Sequence, residues 1–217
     1  MVTKIVAALI SSVFVVLAAA CSAAAPSAVR PYPEGNPTAA SRSLSPSASS
    51  VVPTIRRPLT PGHIVIPDIG VNASVVALGT TVAPAPFLGG RQVSSFEVPA
   101  DLSTVGWWRD GVRLGRGGMA VLLGHSQVGG GYAVFNRIGE LRPPDEIVVE
   151  TSDGRQRATA VVTKVVTGIP KDDATALQTT LASNAPSSDL ALITCSGPFD
   201  TGRSESEQNT AVFARLR

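Results

Sequence analysis

The chain has 217 residues, 44% hydrophobic and 16% charged, which is enough for one domain of ordinary size with appendages and a squeeze for two. Its formal charge of +2 is unevenly placed: residues 1–57 hold Lys4, Arg30, Arg42, Arg56 and Arg57 against Glu34 alone, leaving 13 basic and 15 acidic residues beyond. The pI of about 8.8 therefore comes from the amino-terminal tail. The folded part has a small negative balance, which argues against nucleic acid as a partner, because such a face needs clustered Lys/Arg to meet phosphate.

Lys4 precedes an uncharged stretch from Ile5 to Val29, whose apolar part IVAALISSVFVVLAAAC ends in small residues. Residues 1–21 are expected to be membrane-directed, as a cleaved secretory signal, a lipoprotein signal with Cys21 lipidated, or an uncleaved anchor. A lipoprotein signal wants a large aliphatic residue three places before the cysteine, where Ala18 stands, with Leu17 one position early. All three forms export the rest of the chain and imply an extracytoplasmic domain, tethered to the outer face of the membrane unless the segment is simply cleaved. Residues 22–58 are mostly Ala, Ser and Pro with scattered Arg, and lack the periodic apolar residues that offset the entropy of ordering. They are expected to be a disordered linker spanning roughly 30 Å. The folded domain is then expected at residues 59–217.

An exported protein normally pairs its thiols, yet the second cysteine, Cys21, lies in the leader, so Cys195 is expected to be a free thiol. Such a residue is either a buried small hydrophobe or a nucleophile.

Beyond residue 60 the apolar runs are short, rich in Val and Ile, and separated by Gly, Pro and Asp, which reads as strands. They are expected at residues 63–67, 73–78, 97–99, 119–125, 146–151, 155–166, 190–195 and 210–216. Ser152, Asp153 and Gly154 mark a tight hairpin turn between the fifth and sixth of these. Short helices are expected at residues 133–138 and 173–184, the second with Ala174, Leu177 and Leu181 at helical spacing. Many strands with few helices point to a closed barrel or a sandwich. Trp107 and Trp108 read as a turn-flanked pair, one ring in the core and one over a loop, with ligand stacking as the alternative. His63 opens a strand without a polar neighbour suited to catalysis, and Arg155 and Arg157 read as a solvated face.

The second histidine, His125, closes the apolar run MAVLLGH before a glycine-rich loop, and Cys195 closes the run LALITC before Ser196 and Gly197. Strand ends that open into glycines are where side chains meet substrate. Arg203 lies eight residues beyond Cys195, before the last expected strand. A thiol needs a base or positive field, and an oxyanion needs a donor, so these residues form a candidate Cys-His-Arg acyl-transfer site.

At these residues the chain resembles the sortases, the cysteine transpeptidases of Gram-positive cell envelopes, and most resembles the actinobacterial class F group. The resemblance is carried by IVIPDIGV at 64–71, GWW at 106–108, AVLLGHSQ at 120–127, AVFNRIGELRPPDEI at 133–147 and ALITCSGPFD at 191–200. The family's Thr-Leu-any-Thr-Cys signature is present with Ala191 in place of its first threonine, and Gln127 stands where the family often has an acidic residue. The resemblance implies a mainly β fold, an eight-stranded sortase-type barrel with a few short helices. It implies Cys195 as nucleophile, His125 as acid/base, and Arg203 as oxyanion or substrate-positioning residue, Arg203 being the only arginine between Cys195 and the last expected strand. It further implies cleavage of an LPxTG-like C-terminal sorting signal at Thr-Gly and transfer to a peptidoglycan precursor amine. No cofactor or metal is expected, since His and Cys do not cluster and the carboxylates are scattered. The alternatives are another exported cysteine peptidase acting on cell-wall peptides, and a non-catalytic surface lipoprotein.

Overall fold

The computed structural model describes residues 58–127 and 132–217; the leader and nearly all of the expected linker lie outside the described residues. The chain forms β1 (His63–Ile66), β2 (Val71–Leu78), β3 (Thr80–Ala85), β4 (Arg91–Phe96), β5 (Val105–Trp108) and β6 (Ala120–Leu123). It continues through β7 (Glu146–Glu150), β8 (Arg157–Pro170), one α-helix, α1 (Ala176–Asn184), β9 (Leu190–Asp200) and β10 (Glu205–Leu216). Eight strands close a barrel in the order β1-β2-β5-β6-β9-β10-β8-β7, and β3 and β4 form a separate hairpin. This is the eight-stranded, mainly β fold that the resemblance implied.

Two neighbouring pairs are parallel, β2 with β5 and β6 with β9. Parallel neighbours need long crossovers. The first crossover carries the β3–β4 hairpin, and the second carries β7, β8 and α1. Both crossovers supply walls to one cleft.

Alternation decides which side chains fill the barrel. Ile64 and Ile66 on β1, Ile147 and Val149 on β7, and Leu190 and Leu192 on β9 point into one buried cluster. The intervening residues of β6 and β9, Val121, Leu123, Ala191 and Ile193, are also buried, in a second cluster with Ala211 and Phe213. Ala176, Leu177 and Leu181 of α1 pack on that second cluster, with Phe96 and Trp108. A nine-residue helix is marginal alone, so this packing holds α1 in place. Ala191, the departure from the family signature, thus lies under the outer packing, fully buried.

Several local expectations change. Residues 97–99 are not a strand; the hairpin β3–β4 precedes them, and β5 contains the tryptophan pair. Trp107 is buried in the barrel, while Trp108 donates to Thr80 Oγ1 at 2.9 Å and meets Phe96 edge-on, covering the hairpin. Residues 133–138 form turns leading into a 3-10 turn at Ile138–Glu140 rather than an α-helix. Strand β8 runs four residues past its expected end, to Pro170, and β9 and β10 extend outward to Asp200 and Glu205. The Asp-Gly turn is present, with Gly154 at φ +67°. His63 bonds Asn72 Oδ1 at 2.5 Å, within the β1–β2 ladder.

Candidate active site

Leu123 of β6 pairs with Ile193 of β9. His125 and Cys195 each lie two residues further on, so the parallel register carries both to the same end and face. That face is the outer one, shared with Leu123 and Ile193. The strand ends are tied by Gly124 N–H donating to Ile193 O at 3.1 Å and Thr194 Oγ1 donating to Gly124 O at 2.8 Å. Ser126 Oγ donates to the Cys195 carbonyl. Glycine is required at 124 because a Cβ there would come within 2.5 Å of the buried Phe135 ring.

Both residues line one cleft of about 630 Å³. Its walls are largely apolar, with Leu78 from β2, Val93 and Phe96 from β4, Phe87 from the hairpin tip and Leu177 from α1. Cys195 is a free thiol, partly exposed.

His125 Nε2 lies 2.8 Å from the Pro99 carbonyl oxygen. A carbonyl only accepts, so Nε2 carries a proton and Nδ1 is left as the basic nitrogen. The segment bearing Pro99 is itself held. Asp101 accepts from the N–H and hydroxyl of Ser103 and of Thr104 at 2.6–2.9 Å, and Val134 N–H donates to Leu102 O at 2.8 Å.

These bonds, the Ser103 hydroxyl first and then the Thr104 hydroxyl, pull the Asp101 carboxyl from 3.8 to about 2. A depressed carboxylate contributes stability that is fully present above its unfolded value and is lost as pH falls through its folded value. Asp101→Asn is therefore expected to lower the thermal midpoint near neutral pH. Its difference from the wild type should shrink as pH approaches 2, which thermal melts across pH read directly.

Arg203 lies in the turn between β9 and β10, ahead of the last strand, as its place in the sequence implies. It is not among the residues lining the cleft. Its guanidinium is paired with Asp200, lies 5.2 Å from the Phe87 ring centroid, and reaches the Pro86 carbonyl at 3.4 Å. Bonds from its side chain, then its backbone N–H, hold the Asp200 carboxyl below the usual range. The cation beside the sulfur is one that sequence reasoning missed: Lys171 Nζ is 3.2 Å from Cys195 Sγ and 2.6 Å from Glu205 Oε1. Its sequence signal was weak, a lysine two places beyond Ile169 on the outer face of an unusually long strand.

The sortase-domain family model matches residues 64–217. The chain belongs to the sortase family. Sortases are cysteine transpeptidases, and this chain is an enzyme of that kind. Among solved structures it resembles sortase A from Corynebacterium diphtheriae, at 18% identity and TM-score 0.50, over 74% of this chain and 62% of that one. Other similar structures are sortase C-1 from Streptococcus pneumoniae, at 18% identity, 72% and 66% coverage and TM-score 0.49, and sortase E1 from Streptomyces coelicolor with a tripeptide in its active site, at 17% identity, 73% and 88% coverage and TM-score 0.48. At 18% identity the likeness to the Corynebacterium diphtheriae structure speaks for the fold alone. No curated protein matches the sequence.

Proposed function

We propose that the protein is an exported sortase, nearest class F, that cleaves an LPxTG-like C-terminal sorting signal between Thr and Gly and passes the acyl group to a cell-wall amine. The observation that carries this reading is the joint opening of Cys195 and His125, from adjacent parallel strands, into one cleft with apolar walls. An extended peptide with Leu and Pro ahead of its scissile bond suits such walls.

In this reading the Cys195 thiolate adds to the Thr carbonyl carbon. The tetrahedral intermediate collapses, the C–N bond breaks, and His125, entering the cycle as the imidazolium, gives its Nδ1 proton to the departing Gly amine, leaving a thioester on Sγ. The incoming amine then attacks the thioester, gives up a proton to His125, and displaces the Cys195 thiolate. Arg203, fixed by Asp200, acts as a positioning residue for the Pro86–Phe87 wall. Residues 1–21 hold the enzyme at the outer membrane face, through lipid on Cys21 or as an anchor, and residues 22–58 give it reach.

The test is turnover of a fluorogenic LPxTG-type peptide with and without an added amine such as triglycine. Cleavage at Thr-Gly, with the amine diverting product from free acid to amide, is the expected result. Cleavage unaffected by any amine would make the protein a peptidase instead, and no cleavage of any sorting peptide would remove the substrate assignment.

A further inference from the structure

We propose that Lys171 is the charged catalytic partner of Cys195, holding its sulfur as the thiolate, with Glu205 fixing the ammonium in place. This rests on the reading of Cys195 as nucleophile and adds a residue that neither the family signature nor the spacing of the arginines points to.

The contact is direct. Lys171 Nζ lies 3.2 Å from Sγ and 2.6 Å from Glu205 Oε1. An ammonium has three donors and no acceptor, so Glu205 takes one, the sulfur takes one, and one remains for the oxygen of a bound acyl group. The Lys171 side chain is 12% exposed, against 51% for Arg203. A charge sheltered from water acts on its neighbour more strongly than one screened by it.

The approach is built into the sheet. Across β10, Asn209 pairs with Cys195 on one side and with Ile169 on the other, and Gln208 pairs with Pro170. Lys171 N–H donates to Glu207 O at 3.0 Å. Backbone register therefore brings the lysine to the sulfur, and the Glu205 carboxylate limits where the ammonium sits. Arg203, by contrast, is bonded to Asp200 and stacked on Phe87.

The other ionisable groups lining the cleft with the sulfur are His125 after β6, Glu97 after β4, Asp173 after β8 and Glu205 on β10. Three are carboxylates, which oppose a thiolate. Without Lys171, Glu205 in particular would stand near the sulfur uncompensated. The lysine thus both attracts the thiolate and neutralises its most adverse neighbour.

The experiment is iodoacetamide alkylation of the full-length protein, read at Cys195 by peptide mapping so that Cys21 does not interfere, together with sorting-peptide cleavage. Lys171→Met is expected to slow Cys195 alkylation near neutral pH by ~10-fold or more and to lower kcat/KM for cleavage by ~10²-fold. Above the ordinary thiol range, about 8.5, its alkylation rate should converge on that of the wild type. Lys171→Arg, which keeps the charge, should largely retain alkylation. A purely structural lysine would change thermal stability and leave the pH course of alkylation where it was.

Should Lys171→Met fail to fold, Lys171→Gln combined with Glu205→Gln keeps a neutral hydrogen bond, and slow alkylation near neutral pH is again expected. Alkylation at the wild-type rate in a folded Lys171 variant lacking the charge overturns the proposal, as does a larger loss in Arg203→Ala than in Lys171→Met. A wild-type protein that alkylates readily but cleaves no sorting peptide would instead defeat the transpeptidase reading, leaving the Lys171 comparison readable by alkylation alone.

Discussion

Cys195→Ala is expected to abolish peptide cleavage and covalent intermediate together, while the protein remains folded. The substitution removes the bond-forming atom, so no other group in the cleft replaces it. Cys195 is only partly buried, on the outer face of β9, and the barrel's interior packing at Leu190 and Leu192 does not involve it. The variant should therefore melt close to the wild type. Loss of activity with loss of the folded state would say nothing about chemistry, so circular dichroism accompanies the assay. Turnover by a folded Cys195→Ala protein at even a hundredth of the wild-type rate would mean that another nucleophile acts.

The second large effect is expected at His125. General acid/base help is typically worth ~10²- to 10⁴-fold, and His125→Ala should lose activity in that range. The loss should fall on kcat rather than on peptide affinity, because the apolar walls of the cleft are untouched. Alkylation at Cys195 should persist, since the sulfur keeps its contact with Lys171. A variant that lost alkylation as completely as cleavage would give His125 a role in making the thiolate. The Pro99 carbonyl sharpens this expectation: with Nε2–H held at 2.8 Å, Nδ1 is the nitrogen through which protons exchange, and its orientation depends on the Asp101 turn.

The barrel and the two central residues were legible in the sequence for the same physical reason. Strands such as Ile64–Ile66 and Ile147–Val149 are buried on one side and alternate accordingly, while β6 and β9 are buried on both faces and read as continuous apolar runs. Where those two runs stop, His125 and Cys195 stand out against glycines. The hairpin β3–β4 was hidden because TTVAPA and RQVSSF are half exposed, and Pro84 reads as a strand breaker. Strand β5 was hidden because Gly106 and two adjacent tryptophans obscure its alternation. Arg203 was attractive only by position along the chain. Asp200, three residues earlier, pairs with it across the turn between β9 and β10 and holds it against Pro86 and Phe87 at the edge of the cleft. Lys171 was not legible because its contact with the sulfur comes from register across β8, β10 and β9, and it lies one residue beyond β8, which runs on past Gly168, at φ +72°, to Pro170. Spacing along one strand carries no trace of such a pairing.

Whether Cys195 forms an acyl-enzyme with a sorting signal is read by intact-protein mass spectrometry after brief acid quench of the enzyme with an LPxTG-type peptide and no amine. The expected result is a mass increase equal to the peptide through its Thr, less water, mapped to Cys195 and discharged on adding an amine. No adduct under conditions where the peptide is being cleaved, or an adduct mapped to any residue other than Cys195, would contradict the assignment of Cys195 as the nucleophile.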